Sequence, residues 1–126
     1  MWVALVQVRV EQVVAQRGDG DGAGCHHVEV GVDHVLVDDG NIADQARAIV
    51  PDGVDTALEL IGTPTLPDTL RATRIHGVVC FTGMLSNQWT VRDFYPIEYL
   101  PRGVRLTAYG GDATDLPANV LQNFLD

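Results

Sequence analysis

From His34 onward, apolar and polar positions alternate in the order strand, helix, strand, helix, strand. Val35-Leu36-Val37 is a short apolar run that Asp38-Asp39-Gly40 closes with turn chemistry. Asn41 is placed to cap a helix whose apolar face carries Ile42, Ala46, Ile49 and Val50, and Pro51-Asp52-Gly53 stops it. Val54 to Ile61 reads as a buried strand, followed by Gly62. Thr63 or Thr65 caps a second helix that includes Leu66 and Leu70, and Gly77 to Thr82 is the next strand. After a long aromatic loop, Val104 to Tyr109 alternates as a strand with one exposed face. Asp112 to Asp115 offers caps for a last helix with Leu116, Val120, Leu121, Phe124 and Leu125 as its stripe. That helix meets no stop signal, so the pattern reads as a chain cut within a larger fold.

Strands separated by single helices require right-handed crossovers. The predicted fold is therefore α/β: a partial doubly wound, Rossmann-like parallel sheet with helices on both faces. Residues 1–31 do not share the pattern. Val3 to Val14 is rich in Val and Gln and suits a strand or an irregular helix, and Gly18 to Gly24 has little to bury. Residues 1–31 are expected to be irregular or extended, with the partial domain in residues 32–126.

A length of 126 residues allows one domain. The formal net charge of −9 argues against nucleic acid and anionic membrane as partners, because both select basic surfaces. No window holds eighteen uncharged apolar residues, and Met1 to Val6 lacks a basic leader with a cleavage site. Cys25 and Cys80 make neither a disulfide framework nor a paired-cysteine metal site. These features predict a soluble, cytoplasmic chain.

Several segments invite a chemical reading. Gly18-Asp19-Gly20-Asp21-Gly22-Ala23 satisfies a G-x-G-x-x-A pattern, but a phosphate cradle needs a helix to follow, and Cys25 to Val30 reads as extended. Two aspartates inside the loop would also repel phosphate, which favours a flexible connector. The same segment fails as a calcium loop, since Ala23 and Val30 fall where oxygen ligands are needed. Cys25, His26, His27 and His34 form the metal-like cluster. Their spacing does not reach around a tetrahedral ion, and a surface histidine pair is the better reading, so no metal is expected. Ile61-Gly62-Thr63 and Thr82-Gly83-Met84-Leu85 lie at the ends of consecutive predicted strands, where ligands bind in open α/β sheets. Each glycine permits close backbone approach, either to a ligand or within a turn. Trp89, Phe94, Tyr95 and Tyr99 read mainly as anchors of the long loop, with Pro96 and Pro101 limiting its freedom. The functional alternative is an apolar wall beside a nicotinamide or quinone.

Asp33-His34-Val35-Leu36-Val37, the strand end Leu58-Glu59-Leu60-Ile61-Gly62, and the block from Gly77 to Gly111 together resemble a known family. It is the nucleotide-binding domain of the quinone-oxidoreductase-like (zinc-type alcohol dehydrogenase-like) branch of the medium-chain dehydrogenase/reductase superfamily. The resemblance spans about Val32 to Asp126. It implies an NADP(H)-dependent oxidoreductase that transfers hydride to quinones, enones or related carbonyl compounds without zinc. By position, Ile61, Gly62 and Thr63 would lie near the adenosine-ribose side, and Thr82, Gly83, Met84 and Leu85 near the nicotinamide half. A small quinone or carbonyl compound is the implied substrate, and a homodimer through the Val104 to Tyr109 edge strand is the implied assembly. No catalytic residue is assigned.

The chain departs from the family in three ways. The glycine-rich turn and first helix have no counterpart before His34, and the residues that choose NADP(H) over NAD(H) fall in the divergent stretch. The GroES-like catalytic domain is absent. Without a second wall to hold a hydride acceptor, this chain alone is expected to turn over weakly or not at all. The rival expectation is a non-enzymatic truncated chain that acts as a self-associating or interaction module.

Overall fold

A computed structural model describes residues 3–7, 12–17, 33–83, 85–115, 118–119 and 122. The strands are β1 (Val3–Gln7), β2 (Gln12–Arg17), β3 (His34–Asp38), β4 (Val54–Glu59), β5 (Thr73–Phe81) and β6 (Arg105–Ala108). The helices are α1 (Ile42–Ile49), α2 (Leu66–Ala72) and the single turn α3 (Pro96–Tyr99). Ala113–Asp115 adds one 3-10 turn. The fold is α/β, and one end of its sheet is a three-stranded parallel unit, β4-β5-β6, flanked by helices as in part of a Rossmann-like sheet.

The full strand order is β3-β2-β1-β4-β5-β6. β2 and β3 pair in parallel, while β1 runs antiparallel to both of its neighbours, β2 and β4. One antiparallel strand thus joins two parallel blocks, a feature that the repeating strand–helix pattern after His34 does not announce. The two N-terminal strands belong to the same sheet as the rest. Leu116, Val120, Leu121, Phe124 and Leu125, the expected stripe of a final helix, lie outside the described residues, as does Gly18 to Gly24.

Both helices begin differently from the sequence expectation. Asn41 occupies the N-cap of α1, yet its side chain makes no capping bond. The Ala43 N–H instead donates to Asp68 Oδ2 of α2 at 3.1 Å, so the cap comes from the neighbouring helix. A carboxylate is favoured there because the amino end of a helix carries unpaired N–H groups and partial positive charge. Thr65 precedes α2 in helical backbone and also makes no side-chain cap, because its hydroxyl is committed elsewhere.

Small residues allow α1 and α2 to pack against each other on one face of the sheet: Ala43 and Ala46 from α1 meet the region of Ala72. The main core lies beneath α2. There Val54, Ala57, Leu66, Leu70, Val79 and Val104 are buried together, with Phe81, Tyr99, Leu100 and Leu106 against them. Each fully buried aliphatic side chain in such a layer contributes about 1.5–3 kcal/mol.

Arg47 ties the carboxyl ends of both helices. Its Nε donates to the Arg71 carbonyl at 2.9 Å, Nη1 to Pro51 at 3.2 Å and Nη2 to Thr73 at 3.3 Å. A planar fork is needed to reach three carbonyls at once. Arg47→Ala is expected to lower stability by about 1–2 kcal/mol in urea denaturation, and Arg47→Lys to recover less than half of that.

Strand β5 starts earlier than the apolar run at Gly77 suggests. Val54 is opposite Thr73 and Thr56 is opposite Val78, so the intervening residues of β5 bulge out of register. His76 sits in that bulge at φ 67, and its N–H donates to the Gly103 carbonyl at 2.9 Å. Arg105 Nη2 donates to the His76 carbonyl at 2.7 Å. The bulge is therefore fastened to the start of β6, and it brings the three strands into step at their other end.

Candidate functional site

The parallel strands finish level with one another. Glu59 of β4 is opposite Phe81 of β5, and Phe81 is opposite Ala108 of β6. The loops after these strands share one edge of the sheet, the edge at which open α/β sheets receive ligands. Their hydrogen bonds show how closely they are joined. The Thr82 and Gly83 N–H groups donate to the Glu59 carbonyl at 3.0 and 2.8 Å, and the Ser86 N–H donates to the Ile61 carbonyl at 2.8 Å. The Thr63 hydroxyl reaches the Gln88 carbonyl at 3.2 Å. The loops that carry Ile61-Gly62-Thr63 and Thr82-Gly83 form one layer.

Glu59 is the centre of that layer. It is 0% exposed although it carries a carboxyl group. Its Oε1 accepts from the Ile61 N–H at 2.8 Å, the Gly62 N–H at 3.0 Å and the Thr65 hydroxyl at 2.8 Å. Its Oε2 accepts from the Thr69 hydroxyl at 2.5 Å. Burying a carboxyl is unfavourable unless its oxygens are satisfied, and four converging donors satisfy them. The same contacts give the Ile61 and Gly62 amides the acceptor that strand pairing cannot provide beyond the end of β4.

The glycines at this edge have internal reasons to be glycines. A Cβ on Gly83 would fall 1.8 Å from the carbonyl carbon and oxygen of Leu60. At Gly62, where φ is +137, a Cβ would fall 2.4 Å from Ser86 Oγ. The close approaches expected of these residues are made to the chain itself. Ile61, Gly62 and Gly83 are buried, Thr63 and Thr82 are half-buried, and Leu85 is 47% exposed. Met84 lies outside the described residues. Among the described members of this set, Thr63, Thr82 and Leu85 are therefore the positions that a ligand can touch, and the buried three shape the loops.

The aromatic loop departs from its anchoring expectation. Trp89 is 58% exposed, and Phe94 and Tyr95 are also exposed. Of the four aromatics, Tyr99 alone packs on the main core. It is also paired edge-to-face with Phe94 at 5.0 Å between ring centroids. Leu85 and Ile97 are exposed on the same loop, among exposed Gln88, Arg92, Asp93 and Glu98, so its outer surface is mixed.

The Tyr99 hydroxyl is buried with no hydrogen-bond partner among the described residues. Burial first, and then the negative charge of Glu59, push its phenol above the ordinary value. Because the folded value is raised, the associated stability is present below the unfolded phenol's value of about 10 and is lost as pH rises through the folded one. Tyr99→Phe removes an unsatisfied polar atom and is expected to be neutral or stabilising by up to about 1 kcal/mol. It should also flatten the loss of stability in alkaline denaturation series. A clear destabilisation at neutral pH would show that the hydroxyl has a partner.

Beyond β6, Asp115 Oδ2 accepts from the Asp112 N–H at 2.9 Å and from the Tyr109 hydroxyl at 3.3 Å. Asp112 accepts from the Thr114 hydroxyl and from the Thr114 N–H, and these bonds hold its carboxyl below the usual range. This is a turn fastened to itself.

Comparisons with known proteins return no match to a family model, a curated protein or a solved structure. Among the described residues, no three His, Cys, Asp or Glu side chains gather as a metal site. Cys25, His26 and His27 lie outside the described residues. No described helix is long and apolar enough to cross a membrane.

Glu59 is the residue that sequence reading passed over as a site. A signal was present: it is an acid inside the apolar run Ala57-Leu58-Glu59-Leu60-Ile61, with hydroxyls following at Thr63, Thr65 and Thr69. A strand that buries an acid must deliver donors to it, and the threonine-rich segment is where they come from.

Proposed function

We propose that this chain contributes part of the nucleotide-binding domain of an NADP(H)-dependent oxidoreductase. The parent reaction moves hydride from NADPH to a quinone, an enone or a related carbonyl compound. The observation that carries the reading is the level carboxyl edge of β4 and β5, with Thr63 and Thr82 half-exposed on loops joined through Glu59. Dinucleotides occupy that edge in doubly wound sheets, and the resemblance of residues 33–37, 58–62 and 77–111 assigns the same loops to the cofactor. The exposed Leu85 and Trp89 supply apolar surface for a nicotinamide or quinone ring.

The residues present fit only part of such a cofactor. The space opposite Gly62 and Gly83 is filled by Ser86 and Leu60, so these glycines offer no open cradle to a pyrophosphate. When bound, the cofactor supplies the hydride. The chain's own contribution is to place hydroxyls and an apolar surface at one sheet edge.

Titration with NADPH, read by thermal shift and nicotinamide fluorescence, tests the proposal. Saturable stabilisation of about 2.7 kcal/mol is expected at a hundredfold excess over Kd. Folded protein that shows no shift up to about millimolar NADPH would overturn it.

A second reading, self-association, has one observation in its favour. β6 ends the described sheet, and exposed Ile97 and Tyr109 lie on either side of it in sequence. Unpaired edges with apolar neighbours invite pairing. Under this reading, size-exclusion chromatography gives a dimer or a broad, concentration-dependent peak without cofactor, and a single sharp monomer peak at every concentration sinks it.

A further inference from the structure

We propose that Glu59 is the positioning residue of the strand-end site, coupling its two loops through one buried group. The inference deepens the cofactor reading above and rests on it for the identity of the ligand. The two halves of the residue act on different loops. The carboxyl oxygens hold the segment after β4, by the Ile61 and Gly62 N–H groups, the Thr65 hydroxyl and, through α2, the Thr69 hydroxyl. The main-chain carbonyl holds the segment after β5, by the Thr82 and Gly83 N–H groups.

With 0% exposure, the carboxyl cannot touch a ligand, so any effect on binding must pass through the loops it holds. An apolar side chain at position 59 could fill the same space but would accept no hydrogen bond. Such a replacement would leave the Ile61 and Gly62 amides without an acceptor, and the loop would have to move to find one. Moving it displaces Thr63 directly. It also displaces the second loop, because the Ile61 carbonyl is the acceptor for Ser86, and the Leu60 backbone fills the space beside Gly83. A ligand that contacts both Thr63 and Thr82 would therefore bind a surface whose two halves are set by the same residue.

The test compares wild type, Glu59→Leu and Glu59→Gln, with Val79→Ala as a buried core variant that takes no part in the Glu59 hydrogen bonds. Amide hydrogen exchange reads the loops, and NADPH titration by nicotinamide fluorescence reads the site. Glu59→Leu is expected to speed exchange at Gly83 and Ser86 at least tenfold beyond Val79→Ala, and to weaken NADPH at least tenfold. Glu59→Gln keeps an acceptor oxygen and should restore most of both. Should Glu59→Leu fail to fold, Thr65→Val removes one donor without changing shape and should give a smaller effect in the same amides. If Glu59→Leu, or Thr65→Val in its place, matches Val79→Ala at Gly83 and Ser86, the coupling is refuted. If exchange responds but wild type does not bind NADPH, the coupling stands and the cofactor reading fails.

Discussion

Glu59→Ala is expected to lower stability by about 3–5 kcal/mol, which brings a domain of ordinary stability close to unfolding. The size follows from what is left behind. Two backbone amides and two threonine hydroxyls converge on this carboxyl, and truncation removes their acceptor while they stay buried or half-buried. An unsatisfied buried donor costs about 1–3 kcal/mol, and local rearrangement keeps the total below the sum. Glu59→Gln should lose only about 1–2 kcal/mol, because its amide oxygen can accept on the Ile61 side while its N–H donates to Thr69 Oγ1. Urea denaturation of both variants makes the comparison. A loss under about 1 kcal/mol for Glu59→Ala would mean that water reaches the donors and the loops reorganise freely.

Gly83→Ala should be comparably severe, for a steric reason. The added methyl would fall 1.8 Å from the Leu60 carbonyl group, and backbone cannot turn aside as a side-chain tip can. A loss above about 3 kcal/mol is expected, at the upper end of overpacking effects. Gly110→Ala is the matched control, since nothing lies within 4 Å of its Cβ position, and it should stay within about 0.5 kcal/mol of wild type. The pair also separates two reasons for a glycine at position 83. Room for a cofactor predicts lost NADPH affinity with intact stability. Close packing predicts lost stability first. Equal, small losses at both positions would mean that the Leu60 loop gives way.

The elements from β3 to β6 were legible because each is punctuated. Asp38-Asp39-Gly40, Pro51-Asp52-Gly53 and Gly62 mark turns by residue type, and the apolar runs between them have strand length. What escaped the sequence depends on contacts between distant residues. The α1 cap comes from Asp68 rather than Asn41, and no local pattern encodes a cap donated by another helix. The antiparallel β1 follows from its pairing with β4, some fifty positions away, which short-range periodicity does not register. The β5 bulge is set by Gly103 and Arg105. At the site, position in the fold pointed to the strand-end loops but not to the acid beneath them, because an isolated Glu in an apolar run gains meaning only with its donors. Aromatic content suggested anchors, yet only Tyr99 reaches the core, and aromaticity alone does not reveal which rings turn outward.

The single reversed strand in this sheet fixes a question of symmetry. β1 runs against the other five, so the two outermost described strands, β3 and β6, point the same way. The described sheet thus has two unlike borders of equal polarity. Two copies related by a twofold axis would meet β6 to β6, antiparallel, and the assembly would close at two. Copies that meet β6 to β3 would be parallel and related by repetition, leaving a fresh border at each end and no intrinsic stop. Val35 and Val37 are exposed on β3, so the second border is not defended by charge at those positions. Which border is covered decides between a closed pair and an open chain of copies.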